Sequence, residues 1–164
     1  MATELNKDAE LIVPRVSEYV KGNFYIITAK WNEDVTSVLH AGAYHSLWEA
    51  GIDKKNIIEW KVPGTVELIN AAALALNHPE TTAVIVIGCV IRGETPHFDY
   101  VCQIAAQGVA QLNALGKAPV VFGVLTVDNM QQALDRADGI LGNKGAEAGA
   151  AAVEMANLHA LAFV

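Results

Sequence analysis

Four short runs of apolar, mostly β-branched residues alternate along the chain with longer segments of helical periodicity. The runs cover 23–28, 57–62, the stretch from Val84 to a break at Gly88, and 119–125. Runs of this kind are typical of strands buried on both faces, and their alternation with helices indicates a parallel sheet with right-handed crossovers. The sequence therefore predicts an α/β fold, a three-layer sandwich in which helices flank a four-stranded parallel sheet.

Between and after these strands, the periodicity and the stop signals predict five helices. Glycine follows the first and third of them, at Gly51 and Gly116, and residues able to cap a helix stand at Thr65, Asp128 and Asn129. The helices are expected over about 33–50, 66–76, 98–115, from Asp128 or Asn129 to about 137, and from the glycine-rich turn at 139–145 to about 160. The second is expected to bury Val66, Ile69, Ala72, Ala73 and Leu76, and the third Val101, Ile104, Ala105, Gly108, Val109 and Leu112.

The 164 residues are enough for one domain with its own core. We expect an N-terminal arm over 1–22, a single domain over 23–160 and a C-terminal tail over 161–164. No apolar run is long enough for a membrane span, and the first residues are too polar for a signal peptide. Cys89 and Cys102 have neither metal-ligand nor disulfide spacing, so we expect reduced thiols in a cytoplasmic protein without a membrane partner.

Charge and helix composition indicate which partners the chain can have. The net charge is −7 and there is no cluster of lysine or arginine, which argues against binding to a nucleic-acid backbone. A small anionic substrate is still compatible with this charge, because it needs only one or two local cations. The helices are rich in alanine and glycine and have few polar residues for a solvent-facing side, which predicts a close-packed homo-oligomer. The alternative is a compact monomer in which small residues serve helix contacts.

Polar and aromatic residues follow the predicted strands where they end. Parallel strands bring their carboxyl ends to the same edge of a sheet, and open α/β proteins bind ligands there. We therefore expect a site formed by Trp31, the segment 64–67, the segment 89–97 and Thr126. The segment 89–97 is the strongest candidate, because its polar side chains stand between a strand and a helix start: Arg92, Glu94, Thr95 and His97.

Each of the side chains near this edge that could carry chemistry has two interpretations. Trp31 can stack on a planar heterocycle or fill space at the rim. Glu67 can accept hydrogen bonds from a ligand or stabilise the first turn of a helix, and His97 can transfer protons near neutral pH or serve as a cap or surface residue. Arg136 and Lys144 can bind phosphate or be solvated. No residue spacing predicts a metal site, and no glycine-rich loop predicts nucleotide binding.

Several motifs, in this order, make the chain resemble the 6,7-dimethyl-8-ribityllumazine synthase family. They are Trp31-Asn32 and the segments VPGTVEL (62–68), GCVIRGETPHF (88–98), VFGVLT (121–126), QALDR (132–136) and GNKGAE (142–147). Members of this family condense 5-amino-6-(D-ribitylamino)uracil with 3,4-dihydroxy-2-butanone 4-phosphate in riboflavin biosynthesis, releasing phosphate and water. The resemblance implies a flavodoxin-like winding of the sheet and a transferase without a metal or organic cofactor.

The resemblance also implies roles for individual residues. His97 would transfer protons, and Trp31 would stack on the pyrimidine. The ring and the ribityl chain would be held by Thr65, Val66, Glu67, Cys89, Val90 and Ile91, and the butanone phosphate by Glu94, Thr95, Arg136 and Lys144. Phe122 also belongs to the family's site, but it lies inside the fourth predicted strand. It would have to reach a pocket of a neighbouring subunit.

Family members form pentamers or icosahedral shells of twelve pentamers. This implies a homo-oligomer with active sites shared between neighbouring subunits, and riboflavin synthase as a further partner. Pentameric forms often carry an insertion in the glycine-rich turn, whereas the turn at 139–145 has none, so a sixty-subunit shell is allowed. The chain departs from the family pattern at Cys89, where many relatives have threonine, and at Ile140 and Leu141, which replace a common Thr-Lys pair.

Three other functions are compatible with the same fold. A binding module for riboflavin or a lumazine would need neither a proton-transfer residue nor a phosphate clamp, so His97, Arg136 and Lys144 argue against it. A structural shell protein with a vestigial site would fail to convert the two substrates. A flavodoxin-like electron carrier should have a phosphate loop after the first strand, and the residues that follow Trp31 lack its Ser, Thr and Gly donors.

Overall fold

The computed structural model describes residues 11–162 as one α/β domain preceded by an extended segment. Its elements confirm the predicted alternation of strands and helices. In chain order they are β1 (Asn23–Ala29), α1 (Glu33–Glu49), a single 3₁₀ turn (Lys54–Asn56), β2 (Ile57–Val62), α2 (Glu67–Ala75), β3 (Thr81–Ile91), α3 (His97–Ala114), β4 (Val120–Val127), α4 (Met130–Ala137) and α5 (Lys144–Leu161).

The four strands form one parallel sheet in the order β2-β1-β3-β4. One core lies between the sheet and helices α1, α4 and α5, and a second lies between the sheet and helices α2 and α3. This is the predicted three-layer sandwich with flavodoxin-like winding. The strand order reverses direction between β1 and β3, so the crevice above these two strands is where such a sheet usually binds a ligand.

Strands β3 and β4 are longer than predicted. β3 does not break at Gly88 but runs through it to Ile91, and β4 continues to Val127. A Cβ atom at position 88 would lie 3.0 Å from Thr65 Oγ1 and 3.2 Å from Leu68 Cδ1. Gly88 therefore allows α2 to approach β3 closely and does not end the strand. Thr126 therefore lies within β4, paired with Val90, and not beyond the strand end.

Three details of the helices differ from the prediction. Thr65 does not cap α2: it is buried beside Gly88, and the helix begins at Glu67 without a side-chain cap. Of the residues expected on the inward face of α2, Val66 is 36% exposed, whereas Ala72 and Leu76 are buried and Ile69 and Ala73 pack against the second core. In α3, Ile104 is 46% exposed instead of buried. The predicted stops after α1 and α3 are confirmed, because Gly51 and Gly116 have the positive φ angles of 97° and 65° that favour glycine.

The described part of the N-terminal segment, 11–22, packs against the C-terminal ends of α1 and α5. Val16 N donates to Ala50 O at 3.0 Å, Ser17 N donates to Asn157 Oδ1 at 2.8 Å, and Val20 packs against the first core. Residues 1–10 and 163–164 lie outside the described residues, so the division into an arm, a domain and a tail stays a prediction. None of the helices within 11–162 has the length and apolar character needed to cross a bilayer.

Close packing of α1 against α5 depends on glycine, which leads to a first testable prediction. A Cβ at Gly149 would lie 2.7 Å from Ser46 Cβ and 2.8 Å from Ala43 O, and the latter is backbone that cannot move aside. Gly149→Ala is therefore expected to lower the free energy of unfolding by about 1–3 kcal/mol, despite the higher helix propensity of alanine. Urea unfolding followed by circular dichroism measures the change.

Gly93→Ala is the control for this experiment, because a Cβ at Gly93 would meet nothing within 4 Å. It should leave the free energy of unfolding nearly unchanged. A Gly149→Ala protein as stable as the wild type would show that α1 and α5 can separate without cost.

Candidate active site

A cavity of about 670 Å³ opens at the carboxyl edge of the sheet. Its volume is in the range of small-molecule sites. Three of the four strands end at it, and their following loops form its walls. The lining residues are Trp31 and Asn32 after β1, 63–67 after β2, Cys89, Val90 and Ile91 at the end of β3, and Gly93, Thr95, His97, Phe98 and Val101 in the segment that leads into α3.

The β1 and β2 loops supply an aromatic plane and hydrogen-bonding groups. Trp31 is 73% exposed, so its indole is available to stack on a planar ring. Thr65 is buried, and Glu67 stands in the first turn of α2, where the helix dipole stabilises a carboxylate. Together with the end of β3, these side chains line the cavity, which gives a flat ligand a stacking surface and polar contacts at its edge.

The β3–α3 loop places His97 at the first position of α3. Among the described residues, His97 is the only histidine that lines the cavity, and its side chain is exposed. Arg92 anchors this loop. Its Nε donates to Asp128 Oδ1 at 3.0 Å, its Nη1 donates to Asp99 Oδ1 at 3.3 Å, and its guanidinium carbon lies 4.1 Å from the centre of the Phe98 ring. The hydrogen bond that Arg92 donates to Asp128 and the nearby Asp99 carboxylate raise the pKa of Arg92 above its ordinary value, so it stays charged.

Four residues that the resemblance assigns to the site do not line this cavity within the described chain. They are Glu94, Phe122, Arg136 and Lys144. Glu94 is exposed in the β3–α3 loop. Phe122 pairs with Val86 in the middle of β4 and packs against the second core, as its position in the sequence predicted. Arg136 Nη1 donates to Gln132 O at 3.0 Å, and Lys144 Nζ lies 2.5 Å from Glu147 Oε1.

No lysine or arginine stands among the described residues that line the cavity of one chain. The only ionisable side chains among its described lining residues, apart from the Cys89 thiol, are Glu67 and His97. Arg92 is close, but two carboxylates already neutralise it. Within residues 11–162 no group of three histidine, cysteine or acidic side chains could hold a metal ion. A phosphate bound at this edge would need a cation from outside the cavity walls.

Comparison with known proteins assigns the family. A model of the 6,7-dimethyl-8-ribityllumazine synthases matches residues 21–160. The chain belongs to this family. A member from Porphyromonas gingivalis is 52% identical over 134 residues, which cover 82% of this chain and 83% of that protein. Members from Parabacteroides distasonis and Flavobacterium johnsoniae are 43% and 42% identical, and cover 98% and 100% of this chain and 100% and 86% of their own lengths.

The lumazine synthase match includes all the lining residues and also Phe122, Arg136 and Lys144. Sequence reasoning from strand ends found the three loops of the cavity but not the part that Asn32, Phe98 and Val101 play in its wall. Asn32 was visible only as part of the Trp31-Asn32 motif. Phe98 appeared only as the last residue of a motif and the start of a helix, and Val101 only as a helix residue, because nothing in a sequence shows which side of a helix start faces a cavity.

The thiol of Cys89 provides a second prediction. It is buried at the base of the cavity, and burial raises the pKa of its thiol to about 11. A raised pKa keeps the thiol protonated at pH 8, and the thiolate is the reactive form. We therefore expect iodoacetamide at pH 8 to leave Cys89 unmodified in the native protein and to alkylate it in urea, as measured by mass spectrometry of the peptide.

The same pKa shift gives a pH dependence of stability. The unfolded thiol loses its proton at lower pH than the folded one, so the stabilising contribution is complete below the unfolded pKa and is lost as the pH rises towards about 11. Replacement of Cys89 by serine should remove this component from the alkaline loss of stability. Rapid alkylation of native Cys89 would contradict the assignment of a protonated, buried thiol.

Proposed function

We propose that this protein is a 6,7-dimethyl-8-ribityllumazine synthase of riboflavin biosynthesis. It condenses 5-amino-6-(D-ribitylamino)uracil with 3,4-dihydroxy-2-butanone 4-phosphate and releases phosphate and water. The observation that carries this proposal is the cavity at the switch point of the sheet, where the family's motif residues Trp31, Glu67 and His97 come together.

The pyrimidine substrate fits the part of the cavity between β1, β2 and β3. Trp31 stacks on the ring, since its indole is exposed at the rim. The end of β3, at Cys89, Val90 and Ile91, offers backbone groups to the polar edge of the ring. Thr65, Val66 and Glu67 hold the ribityl chain, because hydroxyl and carboxylate oxygens can accept its hydrogen bonds.

The chemical steps take place beside the start of α3. Imine formation between an arylamine and a ketone, loss of phosphate and closure of the new ring all need proton transfers near neutral pH. His97 performs them as general acid and base. Thr95 and Glu94 contact the butanone phosphate from the same loop. Holding two substrates together supplies the larger part of the rate enhancement, up to ~7–11 kcal/mol in favourable cases.

We further propose that each active site is completed by a neighbouring copy of the chain. The lack of lysine and arginine among the described lining residues supports this, because the phosphate substrate needs a cation and the proposed ligands Arg136 and Lys144 lie elsewhere on the chain. Phe122 reaches the pocket from the neighbour in the same way. Exposed apolar side chains on the helices agree with assembly, among them Leu74, Tyr100 and Leu158.

The assembly that we propose is a pentamer, and the absence of an insertion in the turn at 139–145 permits a shell of twelve pentamers. Riboflavin synthase is the proposed partner that consumes the product. The free thiols of Cys89 and Cys102 support a cytoplasmic location, where thiols stay reduced.

The test of the activity is direct. The purified protein is mixed with the two substrates, and lumazine absorbance and phosphate release are followed against the uncatalysed background. We expect product and phosphate to appear together and faster than the background. No acceleration by the folded oligomer would leave the fold and the family unchanged and reject the catalytic function in favour of ligand binding or shell formation.

A further inference from the structure

Asn32, at the junction of β1 and α1, is unusual both in its backbone conformation and in the use of its side chain. Its φ and ψ are 59° and 48°, the left-handed conformation, and among the described residues it is the only one other than glycine with a positive φ. It is also the N-cap of α1, yet its side chain makes no capping hydrogen bond, although asparagine is among the best residues for that purpose. Such departures persist only where the surrounding structure imposes them, and they concentrate at functional sites.

The side chain of Asn32 is used for another contact. Its Nδ2 donates to the backbone oxygen of Cys89 at 2.9 Å. The ladder between β1 and β3 ends at the pair Thr28 and Ile87, so this bond joins the two strands beyond the point where their backbones pair. It crosses the crevice at the switch point of the sheet, and both of its residues, Asn32 and Cys89, line the cavity.

We propose that Asn32 is a positioning residue for the pyrimidine site. The proposal rests on the proposed function, because it assigns Asn32 to the half of the cavity that would hold the ring. The left-handed backbone turns the chain after Trp31 into α1, and the amide fixes this turn to the end of β3. The bond thereby sets the separation between the stacking face of Trp31 and the backbone of Cys89, Val90 and Ile91.

The two features of Asn32 can be separated by substitution. Asn32→Gly keeps a residue that accepts positive φ and removes the hydrogen bond. Asn32→Asp keeps the size and the tolerance for the left-handed conformation, but its carboxylate cannot donate and faces the Cys89 carbonyl. Asn32→Ala loses the bond and is also strained at this φ.

The expected result is a change in substrate use without a matching loss of stability. For Asn32→Gly, relief of strain offsets the lost bond, so thermal unfolding should stay close to that of the wild type. The KM for the pyrimidine should rise about tenfold, the effect of one hydrogen bond, and more for Asn32→Asp. The KM for the butanone phosphate should stay unchanged, because its part of the site lies across the cavity beside α3.

Asn56→Asp is the matched control. Asn56 Nδ2 donates to Gly22 O at 2.8 Å, the same type of bond, but it lies before β2 at the opposite edge of the sheet. This variant should lose stability and keep both KM values. If Asn32→Gly and Asn32→Asp behave like it, with lower unfolding temperatures and unchanged KM values, Asn32 is only structural and the proposal is overturned.

Binding of the lumazine product, measured by equilibrium dialysis, separates this proposal from the proposed function. If the wild type binds the product but does not turn over, the function fails, and weaker product binding by the two Asn32 variants still supports the positioning role. A wild type that neither turns over nor binds the product overturns both.

Discussion

Replacement of His97 by alanine is expected to lower kcat by about 10²- to 10⁴-fold, the usual contribution of one general acid and base. Turnover should stay above the uncatalysed background, because the cavity still holds the two substrates together. His97 stands at the first position of α3 with an exposed side chain, so its removal should leave the fold intact. Steady-state assays at saturating concentrations of both substrates measure the effect.

Two further variants make the result specific to proton transfer. His97→Gln keeps a polar side chain that can form hydrogen bonds but cannot exchange protons near neutral pH, and it should be as impaired as His97→Ala. His45, which is exposed on α1 and outside the cavity, is the control, and His45→Ala should keep the full rate. A His97→Ala protein that works at the wild-type rate would show that another group transfers the protons.

Arg136→Ala is expected to raise the KM for the butanone phosphate by about 10- to 100-fold, the effect of losing hydrogen bonds to a charged group. The KM for the pyrimidine should change little. Arg136→Lys keeps the charge but loses the planar fork that suits phosphate, so it should recover only part of the loss. Arg15 is exposed near the C-terminal end of α1, away from the cavity, so Arg15→Ala is the control for a general loss of positive charge.

The position of Arg136 outside the cavity of its own chain allows a sharper test. If each site combines His97 of one subunit with Arg136 of its neighbour, oligomers assembled from a mixture of His97→Ala and Arg136→Ala chains contain some sites in which both residues are intact. Such mixed oligomers should be more active than either parent. Activity no higher than the average of the two parents would mean that sites are not shared in this way.

The local pattern of the sequence was sufficient for the architecture and for the location of the site. Short β-branched runs alternating with helical segments have one stable arrangement, a parallel sheet covered on both faces, and parallel strands bring their ends to one edge. The predicted bounds of β2, 57–62, agree with the structure, and Gly51 and Gly116 end their helices as expected. Trp31, Glu67 and His97 followed from the same reasoning, because each stands directly after a strand or at the next helix start.

Only the tertiary structure decided where β3 and β4 end. Glycine at position 88 signals a break in an isolated segment. In the folded chain, hydrogen bonds between β3 and β4 continue past Gly88 to the pairs Val90–Thr126 and Ile91–Val127.

Tertiary contacts also decided the roles of two polar residues beside helix starts. Because Thr65 and Leu68 pack against Gly88, Thr65 does not take its expected role as a cap. Asn32, for which the sequence analysis predicted no role as a cap, also shows this: asparagine before a helix commonly caps it, but the amide of Asn32 bonds to Cys89 instead. In each case a partner distant in sequence outweighed the local preference, because a buried hydrogen bond or a close packing contact stabilises more than the propensity of one residue.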